Sequence, residues 1–225
     1  MTKKITIAID AMGGDNSPDK TMKGVHLFIK ENSKNNDFIL NLFGDEKKIK
    51  EKLNKYKIDS KLIKITHTES VVSDEETPLT AIKNSKNTSM WNCIKSQIDR
   101  DSDISLSAGN TGVLLVVSHM ILKMMDQVSK PALAGFWPNK KGVNVVLDLG
   151  ANIECDDKNL VDFAELGSAL YKSLFPNEIP KVSLLNVGLE EIKGTEVLKN
   201  TYKKLKVLNG EKNFIFKGYS EGNTI

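Results

Sequence analysis

Arginine is almost absent from this sequence of 225 residues: Arg100 stands alone, and every other strongly basic side chain is a lysine. Nucleic-acid recognition relies on arginine forks and interleaved aromatic residues, and aromatic residues make up only 6% of the chain. These shortages disfavour a nucleic-acid partner. The net charge is a modest +3. Lysine-rich stretches at 47–64 and 193–217 fit either an acidic partner or solvated helix faces.

Cysteines and long apolar runs are scarce too. Cys93 and Cys155 lie far apart and match no metal-ligand spacing, which fits a reducing cytoplasm and predicts no metal site. The longest apolar run, 112–125, is interrupted by His119 and Lys123 and is too short to span a bilayer. No secretory signal opens the chain. We therefore expect membrane contact to be peripheral.

Short apolar runs alternate with helical patterns along the whole chain, which predicts an α/β fold with a mostly parallel sheet. A polar, acidic loop is expected at 73–78, and helix 79–98 is expected to be interrupted around 84–89. The other expected helices cover 17–30, 45–56, 111–125, 160–174 and 194–205. The expected strands cover 5–10, 38–43, 61–67, 104–107, 144–149, 182–187 and 213–217.

Four predicted strands end in loops that combine glycine with asparagine, aspartate or threonine. The loops read AMGGD at 11–15, SAGNTG at 107–112, GAN at 150–152 and NVG at 186–188. Glycine lets backbone N–H groups approach an anion, and a following helix presents its positive N-terminal end. Each loop alone is better explained as a tight turn. Together, at one edge of a parallel sheet, they predict a cleft for phosphate.

Longer motifs resemble those of the bacterial phosphate acyltransferase family. They read ITIAIDAMGGDNSP, SLSAGNTGVLL, KPALAGFWP, VVLDLGAN, LVDFAELGSALY and LLNVGLEEIKG, they follow the family's order, and they cover nearly the whole chain. The resemblance implies a three-layer α/β/α fold similar to isopropylmalate dehydrogenase and phosphotransacetylase. It also implies a single domain over 1–225.

The resemblance further implies a reaction and its partners. The family transfers a long-chain fatty acyl group from acyl carrier protein to inorganic phosphate, and the acyl phosphate product feeds phospholipid synthesis. No cofactor is implied. A homodimer is expected in the cytoplasm, in peripheral contact with the membrane and with the downstream glycerol-3-phosphate acyltransferase. The acidic carrier protein would give the lysine-rich stretches a purpose.

The chain departs from the family pattern at several positions. Lys83 and Lys130 stand where the family usually has arginine, and lysine lacks the bidentate fork. Residues 218–222 resemble a GNVEG motif with two replacements, and the sequence then stops at Ile225, whereas family members continue. We therefore expect a chain without the family's C-terminal segment. A truncated, non-catalytic homologue that binds phosphate or acyl carrier protein is the alternative.

Within this resemblance, the loops predict a site of backbone N–H groups, side-chain amides and one lysine. A thioester is already activated, so the protein need only hold phosphate beside it and stabilise the developing oxyanion. The candidate catalytic residues are Lys193, Asn110 and Asp10. The expected phosphate or acyl contacts are Gly13, Gly14, Asp15, Gly109, Thr111, Gly112, Asn152 and Asn186.

Simpler explanations exist for some of these residues. Asp10 and Asp15 also fit as turn-forming aspartates bonded to nearby backbone. Lys193 also fits as an exposed lysine, although a cation near a helix N-terminus is disfavoured unless an anion offsets it. Glu190 and Glu191 lie near the same helix start, and we expect them to remain outside the site.

Two other enzyme classes fit the sequence less well. The first glycine loop lacks the G-x-G-x-x-G pattern, which weighs against an NAD-dependent dehydrogenase of related fold. Residues 218–222 match the G-x-S-x-G elbow of a serine hydrolase. That elbow needs a following helix and a downstream acid and histidine, for which the sequence leaves no room.

Overall fold

The computed structural model describes residues 4–34, 37–73, 77–140, 142–210 and 213–223. The chain forms two compact units that meet in sequence between Lys123 and Met124. They are called here the N-terminal unit and the C-terminal unit, and each is described by itself. The expectation of a single domain over 1–225 stays a prediction.

A four-stranded parallel sheet forms the centre of the N-terminal unit. Its strand order is β3-β2-β1-β4, so the predicted parallel sheet is confirmed. Residues 74–76 of the predicted loop at 73–78 lie outside the described residues. The elements are β1 (Ile5–Asp10), α1 (Asp19–Glu31), β2 (Phe38–Gly44), α2 (Glu46–Lys55), a 3₁₀ turn (Ser60–Leu62), β3 (Ile63–His67), α3 (Pro78–Asn84), α4 (Ser89–Ile98), β4 (Ile104–Leu106) and α5 (Thr111–Leu122).

Helices cover both faces of this sheet because side chains alternate along each strand. Leu40 and Leu42 point to one face and pack with residues of α1 and α2. Ala8 and Phe43 point to the other face, where they contact Cys93 of α4. The N-terminal unit therefore has three layers, as expected. Since its strands are parallel, all of their carboxyl ends lie at one edge.

The C-terminal unit contains two short sheets. The strands β5 and β6 form an antiparallel hairpin, and β7 and β8 pair in parallel. The sequence analysis missed β5, because Pro138 interrupts its pattern; proline is tolerated in an edge strand, where its missing N–H is not needed. The elements are β5 (Gly135–Asn139), β6 (Gly142–Val146), α6 (Asp157–Leu174), β7 (Lys181–Leu185), α7 (Glu196–Leu208) and β8 (Ile215–Ser220).

Polar side chains mark where several helices begin. Asp45 accepts hydrogen bonds from the amides of Lys47 and Lys48 at the start of α2, and Asp156 forms a capping box with Asn159 at the start of α6. The predicted interruption of the long helix is present, since Thr88 caps a new helix four residues after α3 ends. Among the described helices, none has the length and apolar character needed to cross a bilayer.

The core of the N-terminal unit predicts a contrast between two leucines. Leu42 is fully buried in the sheet, whereas Leu79 on α3 is 78% exposed. We expect Leu42→Ala to lower the free energy of unfolding by about 2–5 kcal/mol, because it removes packed methyl groups and leaves a cavity. We expect Leu79→Ala to change it by less than about 0.5 kcal/mol. Urea titration followed by circular dichroism measures both, and equal losses would contradict this packing.

A cluster around Asp19 predicts how stability depends on pH. Hydrogen bonds from Lys52, then Lys55 and Tyr56 of the α2 region, hold the pKa of Asp19 well below its usual range. The folded-state pKa is thus below the unfolded value of about 3.9, so the stabilisation is present above that pH and is lost as the pH falls. We expect Asp19→Asn to lower the melting temperature at pH 7 and to shrink the difference between pH 7 and pH 3.

A matched control for that measurement is Asp101→Asn. The Asp101 side chain is exposed and has no partner among the described residues. Both melting temperatures should stay near those of the unchanged chain. Equal pH responses of the two variants would show that the Asp19 cluster contributes nothing.

Candidate functional site

Two glycine loops of the N-terminal unit are joined by one buried carboxylate. Because β1 and β4 are neighbours, the loops that follow them emerge side by side. Asp10 is 2% exposed; its Oδ2 accepts a hydrogen bond from Ser107 Oγ at 2.7 Å, and its Oδ1 accepts one from Met12 N at 3.2 Å. Ser107 Oγ also accepts from Gly109 N at 3.1 Å. Asp10 therefore positions both loops.

Glycine is required where the two loops touch. A Cβ atom added to Gly13 would lie 2.5 Å from Asp10 Oδ2 and 2.9 Å from Gly109 N. Gly14 has a φ of +84°, and a Cβ atom there would lie 2.5 Å from Ala108 O. These approaches bring the backbones of the two loops into direct contact. The clustering that the sequence predicted for β1 and β4 is present.

The start of α5 supplies donors beside this contact. Asn110 is the N-cap residue, and its Oδ1 accepts from Val113 N at 3.1 Å. Within the part of the chain that the structure describes, no hydrogen bond uses the amides of Thr111 and Gly112. Amides in the first turn of a helix carry its positive end and suit an anion. This geometry can hold a phosphate group.

Asp15 lies apart from these contacts. Its side chain is 81% exposed and approaches Lys20 Nζ at 4.0 Å. The loop is tied instead by Ser17, whose Oγ donates to Gly13 O at 2.5 Å. A contact of Asp15 with phosphate stays a prediction.

A buried thiol lies below the loops. Burial, together with the charge of Asp10, raises the pKa of Cys93 to about 12. The thiol is therefore protonated at neutral pH, which makes it a poor nucleophile. Cys93 therefore serves as a small buried residue that packs against Ala8 and Phe43.

In the C-terminal unit, Asp148 organises the loop after β6. Its carboxylate accepts from the amides of Leu133, Ala151 and Asn152 at 2.9–3.2 Å. The Asn152 amide nitrogen donates to Asp148 Oδ2 at 3.0 Å and to Pro131 O at 2.8 Å. Asn152 thus ties two backbone segments together, and its side-chain N–H groups are used internally.

Asn186 and Lys193 share the loop after β7. Asn186 is buried, and its Nδ2 donates to Gly188 O at 3.1 Å and to Lys193 O at 3.2 Å. Lys193 Nζ lies 3.0 Å from Glu190 Oε2, and the lysine side chain is 48% exposed. The pKa of Glu190 is lowered by two hydrogen bonds. The larger effect comes from its own backbone amide and the smaller one from Lys193. The partner of Lys193 in this structure is thus a residue expected to lie outside the site.

Apart from Asp15, which is exposed, the predicted residues fall into three groups. The first group lies around the joined loops of the N-terminal unit; Asn152 belongs to the loop after β6, and Asn186 and Lys193 belong to the loop after β7. The sequence analysis missed Ser107, Asp148 and Glu190 as partners. Asp148 had a usable signal, because it precedes a glycine turn at a strand end as Asp10 does. The first group comprises Asp10, Gly13, Gly14, Gly109, Asn110, Thr111 and Gly112.

Three other positions of interest have ordinary structural surroundings. Lys130 Nζ donates to Glu154 O at 2.6 Å. Lys83 is exposed on α3. Ser220 lies within strand β8, where its carbonyl accepts from Asn186 N, rather than in a strand-to-helix turn. The geometry of a hydrolase elbow is therefore absent around Ser220.

The loop contact predicts opposite effects for two glycine substitutions. We expect Gly14→Ala to lower the free energy of unfolding by about 1–3 kcal/mol, because of its positive φ and the nearby Ala108 carbonyl. Gly24 lies inside α1 with nothing near its added Cβ, so Gly24→Ala should raise stability by about 0.5–1 kcal/mol. Urea denaturation measures both. A neutral Gly14→Ala would contradict the close approach.

Comparisons with known proteins identify relatives and a fold. The phosphate acyltransferase of Pelagibacter ubique is 51% identical over 225 residues, and that of Xanthobacter autotrophicus is 38% identical over 226; the matches cover all of this chain. A phosphotransacetylase structure from Streptococcus pyogenes has a TM-score of 0.70 at 13% identity, covering 98% of this chain and 69% of that one. One from Staphylococcus aureus has a TM-score of 0.67 at 16% identity, covering 97% and 69%.

The structural likeness confirms the predicted phosphotransacetylase-like α/β fold. The chain spans 66% and 62% of the lengths of the two relatives, less than two thirds. The sequence profile of the family described as "Fatty acid synthesis protein" matches residues 5–225. With nearly every residue matched by that profile, the chain belongs to the fatty acid synthesis protein family, whose relatives named above are phosphate acyltransferases.

Proposed function

We propose that this chain belongs to an enzyme that transfers a long-chain fatty acyl group from acyl carrier protein to inorganic phosphate. The observation that carries the proposal is the pair of glycine loops after β1 and β4, joined through Asp10 and Ser107. Their contact lies beside two helix-start amides that have no acceptor in the described ranges. Such donors suit a phosphate oxygen. The acyl transfer is inferred from the names of the relatives, which are phosphate acyltransferases.

The reaction needs little from the protein beyond position and charge. A phosphate oxygen attacks the thioester carbonyl, a C–O bond forms, the C–S bond breaks, and the thiolate leaves and takes up a proton. Bound donors lower the barrier by holding phosphate next to the carbonyl and by stabilising the oxyanion. A covalent acyl-enzyme is unnecessary, which is consistent with the buried, protonated Cys93.

The proposed residue roles follow from the contacts. Phosphate binds the amides of Gly13, Gly14, Thr111 and Gly112, with Asn110 fixing the start of α5. Asp10 is a positioning residue, because its carboxylate is already occupied by the two loops.

In the C-terminal unit, Asn152 and Asn186 hold the shapes of their loops. Lys193 neutralises charge on phosphate or in the transition state after leaving Glu190, a change that costs little because the ion pair is exposed.

The wider setting is part of the same proposal. Acyl carrier protein is acidic, so the exposed lysines of α2 and those of α7 each provide complementary charge. We further propose a cytoplasmic homodimer that contacts the membrane peripherally and passes acyl phosphate to glycerol-3-phosphate acyltransferase. No cofactor or metal is part of this mechanism. Among the described residues, no cluster of histidine, cysteine or carboxylate side chains could hold a metal.

Two serines of β4 and its loop provide a matched kinetic test. Ser107 bridges the loops through Asp10, whereas Ser105 Oγ donates to Cys93 O. We expect Ser107→Ala to raise the KM for phosphate about tenfold, the cost of one lost hydrogen bond, while the KM for acyl carrier protein stays constant. Ser105→Ala should retain both constants. The measurement is phosphate-dependent release of carrier-protein thiol from long-chain acyl carrier protein.

The same assay separates the proposal from its alternative. Saturable phosphate or carrier binding by the folded chain without thiol release would identify a non-catalytic binding homologue. The absence of both binding and thiol release would refute both functions. Thiol release that is independent of phosphate would indicate hydrolysis instead.

A further inference from the structure

The short helix α3 exposes its apolar residues. Its described side chains are all exposed, among them Leu79 at 78% and Ile82 at 43%. These two residues are three positions apart, so they lie on the same side of the helix. A helix that packs against a neighbour normally turns such an apolar face toward the core. Core packing therefore does not account for this face of α3.

The start of α3 lies against the start of α5. A Cβ atom added to Gly112 would lie 3.1 Å from Pro78 Cγ, and the two helices pack against each other. Gly112 is one of the two helix-start residues whose amides have no acceptor in the described ranges. Leu79 follows Pro78 directly in sequence. The apolar face of α3 therefore begins beside the proposed phosphate site.

An apolar stripe of α5 begins at the same point. Steps of three or four residues lead from Gly112 to Leu115, His119 and Leu122, which places them along one side of the helix. The opposite side packs against α4. Leu115 is half-buried and Leu122 is 39% exposed. The exposed apolar residues of both helices are called here the α3–α5 surface, which consists of Leu79, Ile82, Leu115 and Leu122.

The chemistry of this surface suits a hydrocarbon chain. The helices α3 and α5 contain no acidic residue; Lys83 is their one charged side chain, and His119 is their one further ionisable group. Apolar surface of this kind is stabilised when a hydrocarbon removes it from water. An acyl donor has to hold its thioester carbonyl next to phosphate, so its hydrocarbon chain must extend from that point. The α3–α5 surface starts at that point.

We propose that the α3–α5 surface binds the hydrocarbon chain of the acyl donor and gives the reaction its preference for long chains. This inference rests on the proposed acyl transfer to phosphate. The thioester carbonyl lies beside Gly112, the first carbons contact Leu79 and Leu115, and the far carbons contact Leu122. A chain too short to reach Leu122 loses part of the apolar contact and binds more weakly.

Paramagnetic broadening of methyl signals maps the bound chain without any turnover. Two stearates are added in turn to the 225-residue chain, one with a nitroxide near its carboxylate and one with a nitroxide at its methyl end. The carboxylate is an anion, which suits the amide of Gly112. We expect the first probe to broaden the methyl signals of Leu79 and Leu115 most, and the second to broaden those of Leu122 most. Leu27 on α1, which is 48% exposed, should keep sharp signals with both.

Two exposed leucines provide a matched pair of kinetic variants. We expect Leu122→Ser to lower the ratio of kcat/KM for palmitoyl carrier protein to that for octanoyl carrier protein about tenfold, because a contact made by the longer chain is lost. Leu27→Ser should retain the ratio. Circular dichroism checks the fold, and Leu122→Gln serves as a second variant because it keeps the length of the side chain.

The two experiments separate this inference from the proposed function. The expected broadening without thiol release from any acyl carrier protein would refute the acyl transfer and support the hydrocarbon site. Normal thiol release with an unchanged palmitoyl-to-octanoyl ratio in both Leu122 variants would overturn the inference alone. Equal broadening of Leu27 and Leu122 would also overturn it, because stearate would then bind without selectivity. Signals of α3 that shift with rising chain concentration, and do not respond to stearate, would identify a second copy as the occupant instead.

Discussion

The hydrogen bond between Asp10 and Ser107 is the contact on which the candidate site depends. These residues are 97 positions apart in sequence, yet adjacent strands bring them within 2.7 Å. The carboxylate is almost fully buried, so leaving it without donors would cost far more than a surface interaction contributes. Once it is satisfied by Ser107 and Met12, two glycine loops must lie together. Their backbone amides then become available to an anion.

The C-terminal unit also orders a loop with an aspartate after a strand, but this aspartate does not join two glycine loops. Asp148 also follows a strand and also gathers backbone amides, but its donors come from its own turn and from Leu133. The side-chain N–H groups of Asn152 then donate to Asp148 and to the carbonyl of Pro131. A strand-end aspartate beside glycine therefore predicts an ordered loop reliably. Whether that loop leaves backbone N–H groups free for a ligand depends on which neighbouring segment donates to the carboxylate.

The sequence predicted local patterns well and long-range partners poorly. The bounds predicted for β1 agree with the structure, because alternating apolar residues between polar ends leave little choice. The hairpin strand β5 was missed, since Pro138 obscures it and its stability comes from pairing with β6. Gly13 and Gly14 were singled out because their glycine loop follows a predicted strand. Ser107 and Glu190 were not assigned as partners, because a pattern along the chain does not show which side chains meet.

Lys193 shows where the electrostatic argument from sequence was incomplete. A cation just before a helix needs an anion, and that argument favoured a bound phosphate. In the structure Glu190 supplies the negative charge at 3.0 Å, three residues away along the same turn. Because the pair is exposed, it is weak, and a doubly charged phosphate could displace the carboxylate. The local carboxylate thus accounts for the position of Lys193 near a helix start without a bound anion. The buried Asp10 differs in this respect, because it has no such freedom to exchange partners.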